Sequence, residues 1–194
     1  MTRLFTFFAL ICFTGISSFA QEAGYAYIAS EKYPYGQPHP EMPAQFLDYR
    51  ELIGTCDCTS QQRNPDQSWA EPQQIQWTFK YIMNGMAVQD ATLKPDGRHS
   101  GSIRQFNADS TRWYVHYFST ASAPATLPSW GGERHDDEMI LYRPQQAPNG
   151  MEGFYKIRFY DISDAGFKWL GVWTNEEETF TFETWKIDCI KRKE

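Results

Sequence analysis

A regular alternation of apolar and polar side chains runs through the middle of the chain. The apolar positions of the segment QIQWTFKYIM are Ile75, Trp77, Phe79, Tyr81 and Met83. A period of two is that of a β-strand with one buried face. Asn84-Gly85 follows at once, and this dipeptide is typical of a type I′ hairpin turn. The next segment is therefore expected to return as an antiparallel partner.

The same pattern recurs and predicts about nine strands. They lie in LIGTCDCTS, QIQWTFKYIM, MAVQDATLK, GSIRQFN, RWYVHYFS, EMILYR, FYKIRFYDI, FKWLGVW and TFTFETWKIDCI. Before the first strand, Phe46, Tyr49 and Ile53 follow each other at helical spacing, which predicts a short helix over residues 43–52. Residues 120–137 are polar and rich in Gly and Pro, and a long loop is predicted there.

Short turns between successive strands indicate a meander of antiparallel neighbours. A sheet of this kind either leaves two exposed edges or closes on itself. We predict an all-β fold, an up-and-down antiparallel barrel of about 8–10 strands with a short N-terminal helix. In the last strand the apolar period slips between Phe182 and Trp185, and a bulge near Glu183 would return both rings to one face.

The first twenty residues have the pattern of a secretory signal peptide. Arg3 precedes an apolar run, small residues follow, and cleavage is expected near Ala20/Gln21. The predicted mature protein is exported, either periplasmic or extracellular, and its net charge would change from −6 to −7 with the loss of Arg3. Residues 21–43 are predicted to form an extended arm, and residues 44–194 a single barrel domain.

Three cysteines remain after the predicted cleavage, at Cys56, Cys58 and Cys189. In an exported protein two of them are expected to pair. If the barrel closes, the last strand lies beside the first, and Cys189 comes within reach of either Cys58 or Cys56. The third cysteine is expected to be a small buried apolar residue. A reactive thiol and a Cys-x-Cys metal site are weaker alternatives, and no metal site is predicted.

Aromatic and polar residues in the strands are the candidates for a site inside the barrel. The predicted apolar walls are Trp77, Tyr81, Trp113, Trp169 and Trp173, and the polar candidates are Asp90, Arg104, His116 and Arg158. Each polar candidate has a plainer alternative. Arg158 fits the outer, solvent-facing side of a sheet, His116 fits a hydrogen-bonded histidine of the core or the surface, and Asp90 with Arg104 fits a structural ion pair.

The predicted loop contains GGERHDDE and, just before it, Trp130. A tryptophan on a loop is suited to cover the mouth of a barrel, so Trp130 is predicted to be a lid. The acidic residues after it match no calcium-loop spacing and are interpreted as solvated.

Taken in order, several segments resemble the exported calycin-like proteins of the DUF1579 type. They are LIGTCDCTS, WTFKYIMNGMAVQDA, GSIRQFNADSTRWYVHYFS, DEMILYR and FKWLGVWTNEEETFTFETWKI. The resemblance covers roughly residues 46–192 and implies a lipocalin-like barrel. Two positions depart from that pattern. Cys56 stands where the first strand usually has Trp, and Asn175-Glu176-Glu177 replaces an Asp-Gly-Gly turn.

These features favour a protein that binds a small hydrophobic, aromatic or amphipathic molecule inside a barrel, without a cofactor. An acidic chain with no basic cluster argues against nucleic acid, and no apolar segment is long enough to span a membrane. One alternative is a cofactor-free lyase or isomerase acting on a small carboxylate, with an arginine holding the substrate and Tyr81 or Asp90 as acid or base. Another is a haem-binding barrel with His116 or His135 as axial ligand. A purely structural or envelope-associated role is a fourth possibility.

Overall fold

The computed structural model describes residues 25–193, so the predicted signal peptide lies outside the described residues. Ten antiparallel strands form a closed barrel in simple meander order, and β1 pairs with both β2 and β10. The strands are β1 (Gly54–Gln62), β2 (Gln73–Ile82), β3 (Ala87–Leu93), β4 (His99–Asn107), β5 (Arg112–Ser119), β6 (Ser129–His135), β7 (Glu138–Pro144), β8 (Gly153–Ser163), β9 (Gly166–Asn175) and β10 (Thr181–Lys191). The predicted barrel is confirmed.

Nine of the strands are those predicted, and the tenth, β6, corrects the prediction of a long loop over residues 120–137. Trp130, Gly132 and Arg134 alternate toward one face of β6, while its register pairs it with β5 and β7. Two glycines and several charged residues hide this alternation in the sequence. Trp130 therefore lies within the barrel wall and is not a lid on a loop.

A short 3-10 helix, Ala44–Leu52, closes one end of the barrel. Three residues per turn bring Phe46, Tyr49 and Leu52 to one face, and all three are buried. The α-helical spacing used for the sequence prediction placed Ile53, and not Leu52, on the buried face, because an α-helix has about 3.6 residues per turn. Trp113 from β5 is fully buried against this helix, 4.8 Å from Tyr49 between ring centroids, and its Nε1 donates to Asp48 Oδ2 at 3.0 Å.

The first and last strands are joined covalently as well as by hydrogen bonds. Cys58 lies directly opposite Cys189 in the register, and the two form a disulfide. Cys56 lies opposite Lys191 instead, which explains why it remains a free, buried thiol. Of the two predicted pairings, the one with Cys58 is therefore confirmed.

Two features of the barrel bear on the predicted bulge and the predicted hairpin turn. The register of β10 shifts between Glu183 and Trp185, at the position of the predicted bulge. The hairpin between β2 and β3 has four loop residues, wider than the predicted two-residue turn, and Gly85 there has φ +80. A Cβ on Gly85 would lie 2.4 Å from the carbonyl oxygen of Gln37, so the N-terminal arm packs closely on this hairpin.

Candidate functional site

The barrel encloses a cavity of about 330 Å³ between the aromatic floor and the open end. This volume lies within the range of small-molecule sites, about 300–1,000 Å³. The strands alternate inward and outward, and the inward positions of nine strands supply most of the lining. The lining residues are Ile75, Trp77, Asp90, Thr92, Ser100, Ser102, Arg104, Val115, Tyr117, Pro128, Trp130, Leu141, Arg143, Gln145, Tyr155, Ile157, Phe159, Trp169, Trp185 and Ile187.

Asp90 is the acceptor in a polar network at the inner end of this cavity. Trp77 Nε1 donates to Asp90 Oδ1 at 2.8 Å, while Ser102 Oγ and Arg104 Nη1 both donate to Oδ2. The side chains of Asp90 and Arg104 are 4% and 3% exposed, so this is a buried ion pair. Since both carboxylate oxygens already accept hydrogen bonds, Asp90 functions here as a structural anchor for three neighbours.

Arg104 connects this network to the aromatic floor. Its guanidinium carbon lies 5.2 Å from the ring centroid of Tyr49, 5.0 Å from that of Phe79 and 5.7 Å from that of Phe159. Desolvation is the largest single effect and would lower the pKa of Arg104, but the charges and hydrogen bonds of Asp90 and Tyr49 together outweigh it, so the pKa is raised. Burial also raises the pKa of Tyr49 to about 12, so its hydroxyl is neutral at ordinary pH.

A second polar group lies nearer the open end. Arg143 is half-buried, donates from Nη2 to Gln145 Oε1 at 2.9 Å, and places its guanidinium carbon 4.7 Å from the ring centroid of Trp130. Trp130 also contacts Tyr155, with 6.3 Å between ring centroids. The Trp130 Nε1 is buried, and no residue in the described part of the chain accepts a hydrogen bond from it.

Five of the predicted site residues line the cavity: Trp77, Asp90, Arg104, Trp130 and Trp169. Tyr81, Trp113 and Trp173 are buried but lie outside the lining. Tyr81 stacks near Phe46 at the helix, with 6.3 Å between ring centroids, and Trp113 belongs to the same floor. Trp173 donates to the carbonyl oxygen of Gln145 at 2.9 Å, close to the mouth. Alternation along a strand shows which residues point inward, but it does not show how far along the barrel axis each of them lies.

The structure corrects the predicted interior placement of His116 and Arg158. Both have the outward parity of their strands, between the inward neighbours Val115 and Tyr117 on β5 and between Ile157 and Phe159 on β8. On the outside of the sheet Arg158 forms a bidentate ion pair with Glu138. Its Nε donates to Oε2 at 2.8 Å and its Nη2 donates to Oε1 at 2.5 Å. The aromatic residues on both faces of these strands concealed which face was inward.

Several lining residues were not among the sequence candidates, including Arg143, Tyr155 and Trp185. The alternation of Met139, Leu141 and Arg143 along β7 could have shown that Arg143 shares the inward face. Trp185 follows the β10 bulge, so its orientation depends on a feature that spacing alone only suggests.

Cys56 lies on the barrel wall outside the cavity lining, opposite Trp77 in the register. Burial raises the pKa of the Cys56 thiol, and the nearby Lys191 offsets this only in part. A thiol with a raised pKa is a weak nucleophile at neutral pH. The geometry fits a small packed side chain.

Two structural features are absent from residues 25–193. No group of three or more His, Cys, Asp and Glu side chains that could hold a metal ion is present in that range. Within the same range, no helix has the length and apolar character needed to cross a membrane.

A similar solved structure supports the barrel fold. The crystal structure of Rv2717c from M. tuberculosis matches with a TM-score of 0.52 and 8% identity, over 79% of this chain and all of that one (100%). The S-type phycobiliprotein lyase CPES from Guillardia theta matches with a TM-score of 0.47 and 5% identity, over 79% of this chain and 99% of that one. No family model matches the sequence, and no curated protein matches it. The resemblance to DUF1579 proteins stays a prediction.

Proposed function

We propose that this protein is an exported barrel that binds one small apolar or amphipathic molecule in its interior. The observation that carries the proposal is the cavity of about 330 Å³, which is lined mainly by ring and aliphatic side chains with a few polar groups. A medium-length acyl chain or a two-ring aromatic molecule has a suitable size.

The alternatives have less support. A lyase or isomerase needs a free acid or base beside the substrate, but Tyr81 lies outside the lining and Asp90 is held by three donors. For haem, His116 lies on the outer face and His135 is exposed near Glu133, with 3.6 Å between Nε2 and Oε1. Among the described residues that line the cavity, none is a histidine.

The Cys58–Cys189 disulfide is consistent with an oxidising compartment and thus with export, as the predicted signal peptide implies. The resemblance to exported DUF1579 proteins points the same way. N-terminal sequencing of the mature protein should begin near Gln21 if this part of the proposal is correct.

Titration with a panel of fatty acids, retinoids and aromatic acids should change the intrinsic tryptophan fluorescence. Four of the seven tryptophans line the cavity, namely Trp77, Trp130, Trp169 and Trp185, so a ligand there contacts several of them. We expect saturable quenching or a shift of the emission maximum. The absence of any saturable change across the panel would contradict the proposal.

Filling the cavity should abolish binding while the fold is retained. Val115 lies on β5 at the middle of the lining, and Val115→Trp would place an indole in the space a ligand needs. Its matched control is Tyr114→Trp, on the exposed face of the same strand. We expect at least about a tenfold loss of affinity for Val115→Trp and an unchanged affinity for the control. Circular dichroism of both variants checks the fold, and equal affinities would contradict an interior site.

A further inference from the structure

We infer that the ligand carries a carboxylate or a similar anionic group, and that Arg143 and Trp130 bind this group near the mouth of the barrel. This inference rests on the proposed function, because it names the chemical class of the ligand for the same cavity. Nothing in the sequence analysis assigned Arg143 to the site.

The charges that line the cavity do not balance. The charged residues lining the cavity are two arginines, Arg104 and Arg143, and one aspartate, Asp90. Asp90 is paired with Arg104 and also accepts from two neutral donors, so the inner end carries no excess charge. One excess positive charge remains at Arg143, although the whole chain has a net charge of −6.

Arg143 has a neutral hydrogen-bond partner, Gln145. None of the ion pairs recorded between residues 25 and 193 includes Arg143. Its hydrogen bond to Gln145 goes to a neutral amide oxygen, which leaves the positive charge uncompensated. A half-buried guanidinium with an uncompensated charge favours an anion, and arginine suits a carboxylate because its donors form a planar fork.

Trp130 supplies a second donor group near the mouth. The Trp130 Nε1 is buried without a hydrogen-bond partner among the described residues, and a buried polar group in that state is destabilising. The centroid of the Trp130 ring lies 4.7 Å from the guanidinium carbon of Arg143. The indole N–H and the guanidinium donors are therefore close to each other. An anionic group bound there would accept from both.

This arrangement sets the direction of the ligand. The carboxylate lies toward the open end, where solvent and Arg143 reduce its desolvation cost, and the apolar part extends inward past Leu141 and Ile157 toward Trp169. The neutral Asp90–Arg104 network would then contact the inner end of the ligand.

Matched pairs of acid and alcohol test the inference by calorimetry or fluorescence: decanoic acid with decanol, and naphthoic acid with naphthylmethanol. In the wild-type protein we expect each acid to bind about tenfold more tightly than its alcohol. In Arg143→Gln this preference should disappear while the alcohol still binds, and Arg143→Lys should restore part of it. Arg158→Gln is the control, since it removes the same charge from the outer face of β8.

The outcomes separate the two proposals. Equal binding of acid and alcohol by the wild type, or a preference that survives in Arg143→Gln, would overturn the carboxylate inference and leave the proposed binding function standing. Failure of all four compounds to bind would overturn the proposed function and the inference with it. Retained binding of the alcohols by Arg143→Gln shows that this variant is folded.

Discussion

Replacing both Cys58 and Cys189 with alanine is expected to lower the free energy of unfolding by about 3–5 kcal/mol. The bridge joins positions 131 residues apart, so it closes nearly the whole barrel into one loop. A loop of that length restricts the unfolded chain strongly, and chain-entropy arithmetic gives about 5 kcal/mol as the upper figure. The bridge also fixes β1 against β10, the pair on which closure depends.

Urea unfolding at equilibrium measures this effect. The double replacement is preferable to a single one, because Cys56 lies two residues from Cys58 and could pair with Cys189 once Cys58 is removed. Cys56→Ala is the matched control, since it removes a buried sulfur and keeps the bridge. It should cost only about 1 kcal/mol. A double variant as stable as Cys56→Ala would contradict the role assigned to the bridge.

Replacing Arg104 with methionine is expected to cost about 3–5 kcal/mol of stability. The substitution preserves an apolar stem but leaves the Asp90 carboxylate buried without its positive partner. Most of that loss should be recovered in the double variant Asp90→Leu with Arg104→Met, because the unpaired charge is then absent.

Arg158→Met provides the comparison for this second experiment. Arg158 also pairs with a carboxylate, Glu138, but their side chains are 34% and 29% exposed, so the loss should be about 1 kcal/mol or less. Unfolding midpoints of the four proteins measure the difference. If Arg104→Met is no less stable than Arg158→Met, the Asp90–Arg104 pair is not the anchor described above.

Much of the fold could be predicted from alternation alone. Apolar parity located nine strands, the meander implied antiparallel pairing, and the cysteines indicated which strands would meet. The strand that was not predicted is β6. It has Gly131 and Gly132 at its centre and charged residues after them, so its sequence does not alternate between apolar and polar residues. Closure of the barrel depends on the pairing of β1 with β10, which are far apart in the sequence, so a local sequence pattern cannot predict it.

The site was predictable only in part, for two physical reasons. First, β5 and β8 carry rings on both faces, so the sequence could not distinguish inward Tyr117 from the outward-facing His116 beside it. Second, a barrel interior has levels along its axis. Trp113 and Trp77 are both inward and buried, yet Trp113 packs on the 3-10 helix while Trp77 faces the cavity.

The inner end also shows how an ion pair can be specified by register. Asp90 on β3 lies directly opposite Ser102 on β4, and Arg104 is two residues further on the same inward face. Cross-strand neighbours of this kind lie within reach of a long side chain. The sequence left open whether Asp90 and Arg104 contact a ligand separately or pair with each other, and the structure shows the pair.

We propose that a ligand occupies the interior of the closed barrel. Methyl-resolved NMR during a titration with decanoic acid shows directly which methyl groups the ligand contacts. With decanoic acid inside the barrel, we expect intermolecular contacts and shift changes at the methyl groups of Val115, Leu141 and Ile157, which line the cavity. Ile190, 73% exposed on the outside, should remain unchanged. Shift changes at Ile190 and other outer methyl groups, with the three interior residues unaffected, would contradict the account.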